Sequence, residues 1–145
     1  MLALIQRVNW SRLVIDGETH AEIGPGLLAL VGMEKADDSA AADKLLHKVL
    51  SYRVFADAEG KMNLGLKDVG GELLLVSQFT LAASTSKGLR PSFSSAMPPA
   101  EAEALYNELV AKARASYDKV QSGVFAADMQ IALENNGPVT FMLHS

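Results

Sequence analysis

Four apolar residues, Leu73 to Val76, are followed at once by Ser77-Gln78-Phe79-Thr80. A polar step at the end of a buried strand can set hydroxyls and backbone N–H groups around a ligand. Strand alternation sends Gln78 and Thr80 to one face and Ser77 and Phe79 to the other. On spacing alone, the competing reading of a strand running out into solvent is preferred. In Gly123–Met129 the same weighing favours Phe125 and Met129 as core residues.

Other routes to catalysis find little support. Only His20, His47 and His144 are present, and nothing pairs any of them with a serine as a triad requires. With no cysteine, disulfides, zinc-thiolate sites and thiol nucleophiles are excluded. No His-x-x-x-His, calcium-loop or phosphate-loop pattern occurs, so no metal is expected. The stretch Asp57–Asn63 holds acids only at Asp57 and Glu59 and reads as a solvated turn. No carboxylate pair stands out for general acid–base work.

The C-terminal stretch Glu134–Ser145, "ENNGPVTFMLHS", is unusual in another way. Asn-Asn-Gly suits a turn and Val139–Leu143 suits a strand. Pro138 stands between them, where its missing N–H costs a ladder hydrogen bond. Residue chemistry alone reads this as a type I′ hairpin turn, a trans proline and an edge strand.

The elements that must carry these residues are legible in outline. Residues 2–8, 12–15 and 18–23 read as strands, with Asp16-Gly17 as a hairpin turn between the last two. The apolar runs 27–33 and 73–76 suit strands buried on both faces. Asp37, Asp38 and Ser39 are cap candidates for a helix to about Ser51, with Ala42, Leu45, Leu46, Val49 and Leu50 on its apolar face. Arg53–Phe55 reads as a short strand. Residues 82–97 read as a long Ser/Thr-rich loop, a length that is functional or disordered in most compact domains. Pro98-Pro99 opens a second helix with Ala102, Leu105, Tyr106, Leu109, Val110 and Ala113 inward. Met129–Leu133 and Val139–Leu143 are the last strands. Strands with two amphipathic helices imply α/β sheet layers covered by helices.

At 145 residues, without repeats or a linker, the chain reads as a single domain over 1–145. The N-terminus lacks a signal-peptide core, and no apolar run approaches the roughly 20 residues of a membrane helix. A soluble, cytoplasmic protein without a membrane partner is expected. The formal charge of −4 gives no global field for nucleic acid. Yet no Asp or Glu occurs from Leu73 to Ala100, a window that holds Lys87 and Arg90. Composition alone reads that window as a buried strand and a polar loop.

Taken in order, "QRV" (6–8), "EKAD" (34–37), "DAEGKMNL" (57–64), "VSQFTLAA" (76–83), "KGLRPSF" (87–93), "FAADM" (125–129) and "NNGPVTF" (135–141) resemble the D-aminoacyl-tRNA deacylases, also called D-tyrosyl-tRNA deacylases. The specific motifs are S-Q-F-T-L at Ser77–Leu81 and N-x-G-P-x-T at Asn135–Thr140, and the resemblance spans essentially the whole chain. It implies a layered β/β/α, barrel-like domain with antiparallel and mixed sheets under two main helices. It implies a homodimer with no cofactor, each subunit inserting a cis Gly137-Pro138 loop into the other's site.

The implied substrate is the acceptor end of D-aminoacyl-tRNA, and DNA is not an implied partner. Gly137 and Pro138 carbonyls would hold the α-amino group, so that an L side chain would clash and a D side chain, or glycine, would not. Backbone donors of Ser77, Gln78, Phe79 and Thr80 would stabilise the oxyanion. Either the terminal 2′-hydroxyl or, less favoured, Thr80 would assist attack. Phe125, Ala126 and Met129 would line or support the adenosine pocket. Arg7 would brace the Gly-Pro loop, and Lys87 and Arg90 would meet phosphates. The alternative is a non-catalytic RNA-binding dimer on the same scaffold.

Overall fold

The computed structural model describes residues 1–145. In chain order it contains β1 (Leu2–Ile15), β2 (Glu18–Ile23), β3 (Gly26–Gly32), α1 (Ser39–Ser51), β4 (Phe55–Ala56), β5 (Met62–Leu64), α2 (Leu66–Val69), β6 (Glu72–Ser77), a 3₁₀ turn (Phe79–Ala82), α3 (Pro99–Ser116), β7 (Val120–Ser122) and β8 (Met129–His144). The expected helices form for the expected reasons. Asp38 caps α1 by accepting from Ala41 N–H at 2.9 Å. Pro99 begins α3, where a missing N–H leaves no intrahelical bond unmade. Asp16 and Gly17 carry the positive φ, 51° and 79°, of the β1–β2 hairpin turn.

β3 and β6 lie parallel at the centre, with Val31 opposite Ser77. The first half of β1 pairs antiparallel with β3 and the second half with β2. β8 pairs antiparallel with the other edge of β1 along nearly its whole length. The mixed sheet thus rolls into a nearly closed barrel. Alternate residues of the central strands feed two cores. Leu27, Ala29, Val31, Leu73 and Leu75 pack under α1 and α3, with Leu45, Val49, Tyr106 and Leu109. Leu28, Leu74 and Val76 face the barrel interior with Val8, Leu13 and Ile23. Burying each such Leu contributes about 1.5–3 kcal/mol. The continuous apolar runs of β3 and β6 follow from this two-sided burial. No helix is long and apolar enough to cross a membrane.

Four expectations need correction. β1 is one strand through residues 9–11 rather than two, because the buried Ser11 hydroxyl donates to Ala132 O at 3.1 Å and carries the strand across its polar middle. The short strand near Arg53 is Phe55–Ala56, paired with Met62–Leu64 around the Asp57–Lys61 turn. Alternation stops at Ser77, because Phe79–Ala82 coil into a 3₁₀ turn.

The last correction concerns Asn135–Pro138, which is no hairpin. Thr140 pairs with Gln6 and Asn135 with Val8, so both flanks lie antiparallel to β1 and the chain direction does not reverse. Residues 136–139 bulge out of β8 opposite Arg7 alone. The Gly137–Pro138 peptide is cis.

Candidate active site

Ser77 ends β6, and Gln78 N–H donates to Val31 O at 2.7 Å, fixing the strand end against β3. The 3₁₀ turn then sits directly on Gly32, where a Cβ would lie 2.9 Å from Leu81 Cβ. Only glycine lets the turn approach the strand this closely. Leu81 N–H bonds Gln78 O and Ala83 N–H bonds Thr80 O, both at 3.2 Å. The N–H groups of Phe79 and Thr80 open the turn and have no acceptor within it. The Gln78 side chain donates to Thr80 Oγ1 at 2.5 Å. Thr80 is exposed, and no histidine or carboxylate bonds its hydroxyl.

A pocket of about 470 Å³ opens beside this turn. One wall is Val76–Phe79, a second is Met97, Pro99 and Ala102 at the start of α3, and a third is Phe125–Met129 with Ile131. Its size and largely apolar lining suit a nucleoside-sized ligand. The third wall is set by close packing. A Cβ on Gly123 would lie 2.7 Å from Met129 Sδ and 3.0 Å from Leu13 Cδ1. The buried Tyr106 hydroxyl lies 3.0 Å from Leu75 O and 3.1 Å from Gly123 O. It ties β6 to the start of the Phe125 wall. Burial pushes this phenol up to about 12. The Tyr106 ring also packs on Phe125, with centroids 6.2 Å apart. Ala126 has φ of 61°, an uncommon backbone state for a residue with a Cβ.

Ser77, Gln78, Phe79, Phe125, Ala126 and Met129 therefore meet at one pocket. Thr80 is joined to it through Gln78. Met97, Pro99, Ala102, Ala127, Asp128 and Ile131 also line it and carry no local sequence signal for that role.

Arg7, Gly137 and Pro138 lie elsewhere. Arg7 Nε donates to Asn136 O at 2.9 Å and Nη1 to Val54 O at 2.6 Å. Asn135 Oδ1 accepts from Val139 N–H at 2.7 Å, and Asn135 Nδ2 donates to Thr140 Oγ1 at 2.9 Å. Gly137 itself has φ of 137° and is exposed with Pro138. Ser77 pairs with Val31, which pairs with Ala3. Arg7 lies four residues further along β1, ~13 Å away at ~3.3 Å per residue, and two strands across. The bulge lies on β8, whose Met129 and Ile131 line the pocket, but Gly137 is six residues beyond Ile131, ~20 Å along the strand, and no bulge residue lines the pocket of its own subunit.

A shallower hollow of about 300 Å³ between α1 and α3 has a different character. Its Lys112 is already held by Asp43 at 2.7 Å and Glu108 at 3.0 Å. No group of three His, Asp or Glu residues is clustered closely enough to hold a metal.

The family model of D-Tyr-tRNA(Tyr) deacylase matches residues 4–144. The chain belongs to that family. A D-aminoacyl-tRNA deacylase of Stutzerimonas stutzeri (strain A1501) is 61% identical over 145 residues, all of both chains. The solved structure of a c-Myc DNA Unwinding Element Binding Protein superposes with a TM-score of 0.95 at 37% identity, covering 100% of this chain and 99% of that one. That of a probable eukaryotic D-amino acid tRNA deacylase superposes with a TM-score of 0.83 at 17% identity, covering 98% and 97%, and speaks for the deacylase fold alone. In this deacylase-family chain, S-Q-F-T-L forms the pocket's strand end and turn, and N-x-G-P-x-T forms the bulge held by Arg7.

Proposed function

We propose that this protein hydrolyses the ester of D-aminoacyl-tRNA, releasing the free D-amino acid and intact tRNA. The observation that carries this reading is the nucleoside-sized pocket built around Ser77–Phe79 in a chain of this family. The terminal adenosine occupies the pocket against Phe125, Ala126 and Met129. The ester carbonyl then lies at the 3₁₀ turn, where the Phe79 and Thr80 N–H groups face developing negative charge. Donors of this kind are worth about 100- to 1000-fold in rate. No base accompanies Thr80, which favours attack assisted by the ribose 2′-hydroxyl of the substrate.

Chirality is read by a second copy of the chain. Gly137 lies six residues along β8 from Ile131 in the wall of its own pocket, ~20 Å at ~3.3 Å per residue, so the bulge serves as a filter by reaching the pocket of a partner subunit in a homodimer. There the Gly137 and Pro138 carbonyls take the α-amino group. An L side chain is driven into that backbone, whereas a D side chain points outward. Exclusion of this kind leaves the D side chain unread. Glycine, with no side chain to clash, is hydrolysed too, so glycyl-tRNA is a second substrate.

Mixing tests both parts. A Gly137→Ala subunit and a Gln78→Ala/Phe125→Ala subunit are each expected to lose at least about nine-tenths of D-tyrosyl-tRNA hydrolysis alone. In a two-fold dimer, random reassortment restores about one quarter of wild-type D-tyrosyl-tRNA hydrolysis, because half the dimers carry one site with both parts intact. No restoration contradicts the shared site. Replacing the terminal ribose with 2′-deoxyribose is expected to slow hydrolysis at least about 100-fold. An unchanged rate returns the role to a protein group.

A second reading, a nucleic-acid-binding module without catalysis, draws support from the solved neighbour described as a DNA-element-binding protein. It predicts tRNA binding with no release of amino acid.

A further inference from the structure

We propose that residues 84–92 form an arm that grips the phosphates of the single-stranded RNA preceding the terminal nucleoside. The proposal rests on reading the pocket as a nucleoside site and adds where the rest of the strand runs. Ser84 and Ser92 form a two-bond bridge, with Ser84 N–H to Ser92 O at 2.8 Å and Ser92 N–H to Ser84 O at 3.0 Å. Above it the chain loops through Lys87, Gly88 at φ of 65°, Leu89 and Arg90. Side-chain bonds of 3.1 Å between Ser84 and Ser86, and between Ser92 and Ser94, order the base of the loop.

The arm is rooted at the pocket mouth. It begins after Ala83, which ends the 3₁₀ turn. On its return, Phe93 packs on Phe79 with centroids 5.2 Å apart, and Ser95 Oγ donates to Ala82 O at 2.6 Å. Met97 then reaches the pocket wall. Lys87 lies three residues from the bridge, up to ~10 Å along the chain from the root.

The arm's chemistry is that of a phosphodiester site. Lys87 and Arg90 are exposed, and neither forms an ion pair. The acid-free window from Leu73 to Ala100 covers the whole arm, within a chain of charge −4. Two free cations and a set of hydroxyls, with no carboxylate on the arm itself, favour phosphate oxygens. Leu89, fully exposed at the tip between the two cations, offers an apolar contact to an unstacked base. That favours a single strand over a duplex, whose bases are stacked away.

The test compares wild type with Lys87→Ala/Arg90→Ala, both exposed positions, and with the charge-keeping Lys87→Arg/Arg90→Lys. Binding of a labelled single-stranded RNA ending in adenosine is followed by anisotropy from 50 to 200 mM salt. The alanine pair is expected to flatten the log–log salt slope by about 1.4, at about 0.7 per lost single-strand phosphate contact. The charge-keeping pair keeps the slope. With D-aminoacyl-tRNA, the alanine pair raises KM about tenfold or more and leaves kcat within about twofold, while hydrolysis of D-aminoacyl-adenosine is unchanged. An unchanged slope overturns the proposal. So does an equal loss on D-aminoacyl-adenosine, which makes the arm part of the pocket wall, or an equal effect on blunt duplex RNA. The anisotropy arm needs no turnover, so failure of the deacylase reading is seen separately, as absent hydrolysis by wild type.

Discussion

Gly137→Ala acts on a single backbone position packed against Val139 and Arg7. At φ of 137° an L residue is strained, and holding one there costs about 1–3 kcal/mol. The added methyl also meets Val139 Cγ2 at 2.7 Å, Arg7 Nη2 at 3.1 Å and Val139 N at 3.1 Å. Val139 cannot yield freely, because its N–H is bonded to Asn135 Oδ1 and its side chain is buried. The easier response moves Arg7, whose Nε holds Asn136 O. The bulge is then re-aimed, and the Gly137 and Pro138 carbonyls lose their fixed direction. Losing about 1.4–2.8 kcal/mol of oriented binding in the transition state lowers kcat/KM by about 10- to 100-fold. The assay is release of labelled D-tyrosine and L-tyrosine from tRNA, with thermal unfolding run in parallel. The expected result is that loss on the D substrate, or a rise in L hydrolysis, with the fold intact. A variant that keeps both rate and stereoselectivity refutes the role of the bulge as filter.

Three further substitutions separate the remaining parts. Arg7→Lys can reach only one of the two carbonyls that the guanidinium bridges, so kcat/KM on D-tyrosyl-tRNA is expected to fall about 10- to 100-fold, in line with about 1.5–3 kcal/mol for a charged hydrogen bond. An unchanged value removes Arg7 from the site. Thr80→Val removes a hydroxyl that accepts only from Gln78, and the single-turnover rate is expected to stay within about threefold; a loss beyond about 1000-fold makes Thr80 the nucleophile. Tyr106→Phe is expected to lower neutral-pH stability by about 1–2 kcal/mol, by leaving the Leu75 and Gly123 carbonyls without that donor.

The same tyrosine sets an alkaline limit. Its folded-state value of about 12 lies above the ordinary value near 10, so its stabilising contribution is complete below pH 10 and is lost as pH rises through 12. Two pH units correspond to roughly 2–3 kcal/mol, and denaturant midpoints between pH 9 and 12 are expected to fall less steeply in Tyr106→Phe than in wild type. Parallel profiles would remove the buried phenol as the cause.

Local signals in the sequence account for much of this architecture. The apolar period of α1 and α3, the Asp38 cap and the Asp16-Gly17 turn are each written in a few adjacent residues. The long partners β1 and β8 were harder to read. Polar Asn9 to Ser11 looks like a break until Ala132 supplies the acceptor for Ser11 from across the sheet. Asn135–Pro138 looks like a chain reversal until the register shows β1 pairing with both flanks. The pocket follows the same division. The polar step of Ser77, Gln78 and Thr80 after a buried run is visible but on spacing alone reads as a strand running into solvent, and Phe125 and Met129 read as core residues by type. Met97, Pro99 and Ala102 join them only because α3 starts where β6 ends in space, a contact between segments some twenty residues apart that leaves no local mark. The Arg7 brace likewise depends on a pairing 129 residues distant in sequence.

The most direct test of the account is deacylation of D-tyrosyl-tRNA beside L-tyrosyl-tRNA by the purified wild-type protein with no metal added. Turnover of the D ester alone is expected. Hydrolysis of both esters would mean an esterase whose filter is not the Gly137-Pro138 bulge, and hydrolysis of neither, with tRNA still bound, would contradict the deacylase reading in favour of a binding module.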